Sequence, residues 1–204
     1  MPHYLHGLAG SPWVLLVVFA VAGLDAVLPF MPSESTVVAV GVAAASVGRP
    51  HLALLIAVAT AGAWCGDLAS YLVGRRHRES VTSRMQRGRR SAAVHDWVHR
   101  LLHSRGGLVI VFARYVPAGR SATAFAAGVV HYPGLRFRLY TALGVLLWAT
   151  QSALLGYLGG AVFTDRPVLG FLLAGTLALA VAGLATAVQR RLVRPREALR
   201  TPVD

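Results

Sequence analysis

Lysine and asparagine are absent from this 204-residue chain, and cysteine occurs once. All 20 basic residues are therefore arginine, set against eight acidic ones, for a net charge of +12. The lone Cys65 excludes an internal disulfide and says nothing more. The missing lysine and asparagine, with abundant Ala, Val and Gly, match the bias of a GC-rich bacterial gene and carry little chemistry. Charge of either sign is scarce, with 14% of residues charged and 55% hydrophobic, where a soluble domain carries about 25% charged residues. With a mean hydropathy of +0.58, the composition points to one all-α polytopic membrane domain spanning 1–204. The positive balance could suggest nucleic acid, but the arginines cluster beside apolar segments. Membrane orientation explains that placement, so no nucleic-acid partner is expected.

Two arginines stand apart. Arg114 and Arg120 lie in Phe112–Ser121, between apolar flanks at 108–111 and 122–130. An ionisable residue in such a setting is costly and marks a functional site with a partner to be found. Upstream, Trp13–Phe30 reads as a first membrane segment carrying Asp25. A cleaved signal peptide competes with that reading, and the missing positive stretch ahead of it argues against cleavage. Pro29 and Pro32 then break the helix, Ser33 is a candidate N-cap, and Glu34 falls in a first turn that favours an anion. The following helix, Thr36–Val47, spans only about 18 Å, too little for a hydrocarbon core of about 30 Å. Residues 29–47 therefore read as a re-entrant hairpin with Glu34 near its tip, an arrangement allowed where protein or a wet cavity surrounds it.

Leu52–Gly74 reads as a full span in which Gly62 and Gly66 suit close helix packing. Asp67, within it, is either a structural partner for an arginine or part of a transport path. The interruption at 75–105 holds nine arginines and is assigned to the cytoplasm. Within it Val94, Trp97, Val98, Leu101 and Leu102 predict an interfacial amphipathic helix, with a His/Arg face toward anionic headgroups. His95, His99 and His103 share that face, but no cysteine accompanies them and no metal site is expected. Gly106-Gly107 reads as a breaker. A second re-entrant hairpin at 107–131 follows, broken by Pro117 and Gly119. Leu139–Phe163 and Val168–Val188 read as the last spans, giving about four in all, and 190–204 as a basic cytoplasmic tail. Both termini then fall in the cytoplasm. The two hairpins enter from opposite sides, the plan of an inverted-repeat transporter whose site lies near the midplane.

One ordered set of motifs runs from Asp25 and Pro32-Ser33-Glu34, through Gly66-Asp67-x-x-x-Tyr71-x-x-Gly74-Arg75 and Phe112-x-Arg114-x-x-Pro117-x-x-Arg120, to Gly128, Trp148 and Gly156-Tyr157. Over residues 20–160 this set resembles the DedA family of bacterial membrane proteins, also called the SNARE-associated or VTT domain family. The resemblance implies two opposed re-entrant hairpins, a place in the bacterial cytoplasmic membrane, and transport of lipids or ions. Some members are implicated in flipping polyprenyl phosphate, others are proton-dependent, and eukaryotic relatives are lipid scramblases. It also implies that Asp25 and Glu34 match the family's essential acidic residues, and Arg114 and Arg120 its essential arginines. Asp25 departs from the usual Glu by one methylene.

The function expected is a flippase for a phosphate-headed lipid such as a polyprenyl phosphate, with no cofactor. Arginine suits that cargo because its planar fork donates paired hydrogen bonds and stays charged when desolvated. Asp25, Glu34 and Asp67 are the candidates for charge partner or proton coupling. A proton-dependent small-ion or drug transporter and a non-transport envelope scaffold are the alternatives. An enzyme is not expected, because Ser121 has no evident base and His131 stands 11 residues beyond Arg120.

Overall fold

The computed structural model describes residues 11–26, 33–48, 50–115, 119–162 and 176. Among them the chain is all-helical: α1 Pro12–Leu24, α2 Ser33–Val47, α3 Leu52–Arg76, α4 Arg78–Gln86, α5 Arg89–Phe112, a 3₁₀ turn at Ala113–Tyr115, α6 Gly119–Val129 and α7 Gly134–Val162. Pro29, Pro32 and Pro117 lie outside the described residues, as does nearly all of the expected last span and the basic tail. Gly119, the fourth expected break, opens α6.

Local signals set the helix ends. Pro12 starts α1, where its missing N–H costs nothing, and Ser11 caps it by accepting from the Trp13 amide at 3.4 Å. α1 closes at a turn over Asp25–Ala26 after 13 residues, shorter than the segment expected over Trp13–Phe30. α3 and α7 are the two described helices long and apolar enough to cross a membrane, with mean hydropathies of 1.7 and 1.3 over their most apolar windows. Large apolar side chains such as Leu54, Leu72, Leu143, Leu146 and Leu158 face outward. In water that exterior would be an aggregation hazard, whereas in lipid it is solvated.

The interior is built from small residues. Ala59, Ala63, Ala149 and Ala153 are fully buried where α3 meets α7. These two helices run antiparallel: α7 starts at the end of α3, where Gly134 faces the Tyr71 hydroxyl and Arg75, and its later residues pack with Leu55 and Ala59. Each short helix leans on one of them through reciprocal glycines. α2 meets α7 at Gly41 and Gly156, and α6 meets α3 at Gly128 and Gly74. A Cβ on Gly41 would stand 2.8 Å from the Ala153 carbonyl oxygen, and one on Gly128 2.7 Å from the Arg75 amide nitrogen. Gly62 receives α1 at Phe19 as Gly144 receives α5 at Val111, and the interval from Gly62 to Gly74 equals that from Gly144 to Gly156. α2 runs toward the end of α7 and α6 toward the end of α3, so the short helices point in opposite directions. Without a hydrophobic drive between helices in lipid, such backbone approach is the main source of helix affinity.

One expectation holds here and one changes. Gly106-Gly107 does mark a break: two helical stretches, joined here as α5, meet at Arg105, whose backbone is non-helical (φ −134°, ψ 25°). The glycines also make room for rings, since a Cβ on Gly106 would lie 2.7 Å from the Tyr132 ring and one on Gly107 2.7 Å from that of Tyr140. The expected amphipathic helix is the stretch of α5 ahead of that kink. Its Leu102 is buried beside Tyr132, Val98 packs on the same cluster, and Trp97 is 49% exposed. The last described span also begins earlier than Leu139, at Gly134 directly after Pro133.

Gly128→Val should destabilise the protein by about 3 kcal/mol or more, because a backbone rather than a movable side chain blocks the added atoms. Gly48→Ala, at φ +72° with open space around it, should cost about 1–2 kcal/mol from backbone strain alone. Denaturant titration of both variants in detergent micelles checks the ranking.

Candidate functional site

The buried face of α3 reads Leu55, Ala59, Gly62, Ala63, Gly66, Asp67, Ser70, Tyr71, Gly74. The spacing is that of one helix stripe, and it puts a carboxylate between two apolar clusters. One holds Ala63, Val145 and Trp148, the other Tyr71, Ala127 and Phe137. Asp67 is 2% exposed. A lone carboxylate there would be strongly disfavoured, and two arginines meet it.

Arg114, in the 3₁₀ turn, donates from NH1 to Asp67 Oδ2 at 2.9 Å, with both side chains 3% exposed. Arg120, in the first turn of α6, sets Nε 3.2 Å from Asp67 Oδ1 and NH2 3.3 Å from Asp25 Oδ2. Its NH2 also donates to the Ala22 carbonyl at 3.3 Å. Asp25 is in turn held by Ser33, whose hydroxyl donates to Oδ2 at 2.6 Å, while the Ser121 hydroxyl donates to the Asp25 carbonyl at 3.4 Å. Ser70 donates to the Ala26 carbonyl at 3.0 Å and ties α3 to the end of α1. The Arg114 guanidinium lies 5.6 Å from the centre of the Trp148 ring, within cation–π range. Beside it the Tyr115 hydroxyl donates to Gln151 Oε1 at 3.2 Å.

The network is neutral in count, with two arginines and two aspartates, but its hydrogen bonding is incomplete. Arg114 Nε and NH2 are buried without a hydrogen-bond partner among the described residues. Asp67 Oδ1 lies within ion-pair distance of Arg120 but is not aligned as an acceptor. Each buried idle donor carries a desolvation penalty of about 1–3 kcal/mol, more for a charged group. Such donors can take a further acceptor.

The structure therefore brings together Arg114, Arg120, Asp25 and Asp67. Glu34, expected near the arginines, is half-buried one residue beyond Ser33 and makes no ion pair among the described residues. The central carboxylate is Asp67, on the same buried stripe as Gly62 and Gly66, the glycines expected to pack closely. Ser33, Ser70, Tyr115 and Gln151 join the site without a chemical signature of their own, because only the helix crossings make them neighbours. His99 and His103 stack at 4.1 Å on α5, and the His103 ring Nδ1 lies 2.9 Å from the His99 carbonyl. No group suited to a metal ion occurs among the described residues.

An apolar-surfaced helical assembly closed around a buried arginine–carboxylate network defines a class, the integral membrane proteins that keep charge inside the bundle. The family model described as the VTT domain matches residues 31–158. The chain is 27% identical over 169 residues to Protein DedA of Escherichia coli K12, covering 82% of this chain and 77% of that one. It is 30% identical over 134 residues to the inner membrane protein YqjA of the same organism, covering 64% and 59%. The Mycobacterium tuberculosis membrane protein Rv0364 is 27% identical over 157 residues, covering 76% and 68%. No solved structure matches. The chain belongs to the DedA family of VTT-domain membrane proteins.

Removing one partner of a buried pair leaves a charge uncompensated and costs about 3–5 kcal/mol. Asp67→Asn should fall in that range in detergent unfolding titrations. Asp67→Asn combined with Arg114→Met should lose less than the two singles added together, so a double-mutant cycle measures the coupling.

Proposed function

We propose that this chain is a transporter that moves a phosphate-headed lipid, such as a polyprenyl phosphate, across the bacterial cytoplasmic membrane. The observation that carries the reading is the pair of idle, buried donors on Arg114, Nε and NH2, one side of a guanidinium whose other side is held by Asp67. A phosphate oxygen pair matches that edge bidentately. Arg120 reaches the same carboxylate from the next helix start, so a headgroup that displaced Asp67 would meet both guanidinium groups. Asp67 then alternates with the cargo phosphate as counter-ion. Asp25 and Glu34, less deeply buried, are the carboxylates suited to exchanging a proton with water as that happens.

The same geometry bears on the topology we propose. α2 and α6 start at the charge cluster and run in opposite directions along α7 and α3. This supports two re-entrant hairpins, 29–47 and 107–131, entering from opposite sides with tips that meet near the midplane. The arginine-rich 75–105 segment and both termini are assigned to the cytoplasm. Translocation requires no bond to be made or broken, so no catalytic residue is assigned. The names of YqjA and Rv0364 call those two relatives membrane proteins and, like that of DedA, specify no cargo.

A scaffold reading is favoured by the internal neutrality of the network, because a self-paired cluster serves to fix a fold. One variant separates the two. Arg114→Lys keeps the charge beside Asp67 and removes the fork, so the scaffold should be retained and transport lost. In liposomes with labelled polyprenyl phosphate, the expected result is wild-type thermal stability with transport reduced about tenfold or more. Transport at the wild-type rate overturns the lipid-phosphate reading. Glu34→Gln should flatten the pH dependence of the same assay, since an amide cannot exchange the proton.

A further inference from the structure

A second set of arginines gathers at the end of the bundle where α3 finishes and α7 begins. The turn between α6 and α7 is tight: His131 adopts φ +60°, and its ring Nδ1 lies 3.0 Å from Arg78 NH1. The Arg78 N–H donates there, so that ring nitrogen is an acceptor. The nearby Arg78 and Arg75 charges, with desolvation as the larger cause, hold His131 below the ordinary histidine range. Across the turn Arg75 NH1 donates to the Tyr71 hydroxyl at 3.3 Å, and that hydroxyl donates to the Tyr132 carbonyl at 2.7 Å. Tyr71 also stacks on Phe137, with ring centroids 4.5 Å apart. Arg75 therefore starts from a fixed base.

Gly134 measures the space between these groups. The position its Cβ would occupy lies 3.5 Å from the Tyr71 hydroxyl, 3.8 Å from Arg75 NH1 and 4.0 Å from Arg138 NH2. Two guanidinium groups and a hydroxyl thus converge on one point that the missing side chain leaves open. Neither Arg75 nor Arg138 forms an ion pair among the described residues. Glu79 lines a cavity of about 330 Å³ with Arg78 and His131, and it makes no ion pair among the described residues. The same helix ends carry exposed apolar side chains: Leu72 and Val73 on α3, Leu135 and Leu139 on α7. Like charges held together beside an apolar wall, with no counter-charge among the described residues, call for an anion that brings its own apolar tail.

We propose that Arg75 and Arg138 form a phosphate-binding site over Gly134, separate from the Arg114–Arg120 network, which takes the phosphate of an anionic membrane lipid. The guanidinium pair binds the headgroup, and the leucines at 72, 135 and 139 lie against its chains. The site does not depend on the transport reading. It would serve a lipid held at the protein surface whether or not that lipid is moved.

The test counts lipids bound to the delipidated full chain in detergent by native mass spectrometry, with phosphatidylglycerol and phosphatidylcholine offered in equal amounts. Wild type should prefer the anionic lipid, and Arg75→Gln with Arg138→Gln should weaken that adduct about tenfold or more, as lost charge-assisted contacts do. Gly134→Glu is the sharper probe. Its carboxylate falls in the first turn of α7, where the helix favours an anion, and reaches both arginines as an internal competitor. It should abolish the anionic preference without lowering the thermal midpoint. Gly134→Ala, which meets only ordinary van der Waals contacts, should retain it. Undiminished preference in the double arginine variant or in Gly134→Glu overturns the site. If inorganic phosphate at millimolar concentration displaces the lipid from wild type, the site belongs to a soluble anion and the lipid assignment fails.

Discussion

Everything inside this bundle is arranged around one carboxylate. Asp67 is 2% exposed, with Arg114 on one oxygen and Arg120 beside the other. In lipid there is no water to fall back on, so the three charges are held together or not buried at all. That requirement fixes more than a pair. Arg114 sits in the turn that ends α5, Arg120 opens α6, and Asp25 closes α1. For Arg114 and Arg120 to meet Asp67, and for Asp25 to meet Arg120, all three element ends have to come to the buried face of α3.

The glycines make that convergence possible. An arginine turn and two helix ends can reach the centre of α3 only if the neighbouring backbones approach closely. Gly62 and Gly66 admit α1, Gly74 and Gly128 seat α6, and Gly41 and Gly156 seat α2 on α7. The contacts are reciprocal, so the two halves support one another rather than folding side by side. Dense backbone packing and a buried charge cluster are one design: packing excludes water, and exclusion of water is what makes the charges informative.

Charge is then sorted by depth. The inner arginines have carboxylates, whereas Arg75 and Arg138 at the end of the bundle have a tyrosine hydroxyl and no ion pair among the described residues. The inner cluster is neutral with unused donors, and the outer one is an unbalanced positive surface. The lipid proposed for each would suit both. At the rim its charge would be attracted without displacing anything, and at the centre it would compete with Asp67.

The sequence by itself determined the class and much of the site. Scarce charge and long apolar runs fixed a helical membrane protein, because only such a chain is solvated by lipid. The order of acidic, proline and arginine motifs fixed the family, and Gly62 and Gly66, with Asp67 beside them, marked the face of α3 that is buried. Tertiary structure decided the partners. A local pattern cannot say which helix crosses which, so the sequence favours Glu34 as the arginine partner with Asp25 and Asp67 behind it, and the crossings choose the two aspartates. Gly106-Gly107 shows both sides. Two glycines read locally as a breaker, and the helical stretches of α5 do part at Arg105; only the fold shows that the rings of Tyr132 and Tyr140 occupy the space that side chains there would have taken.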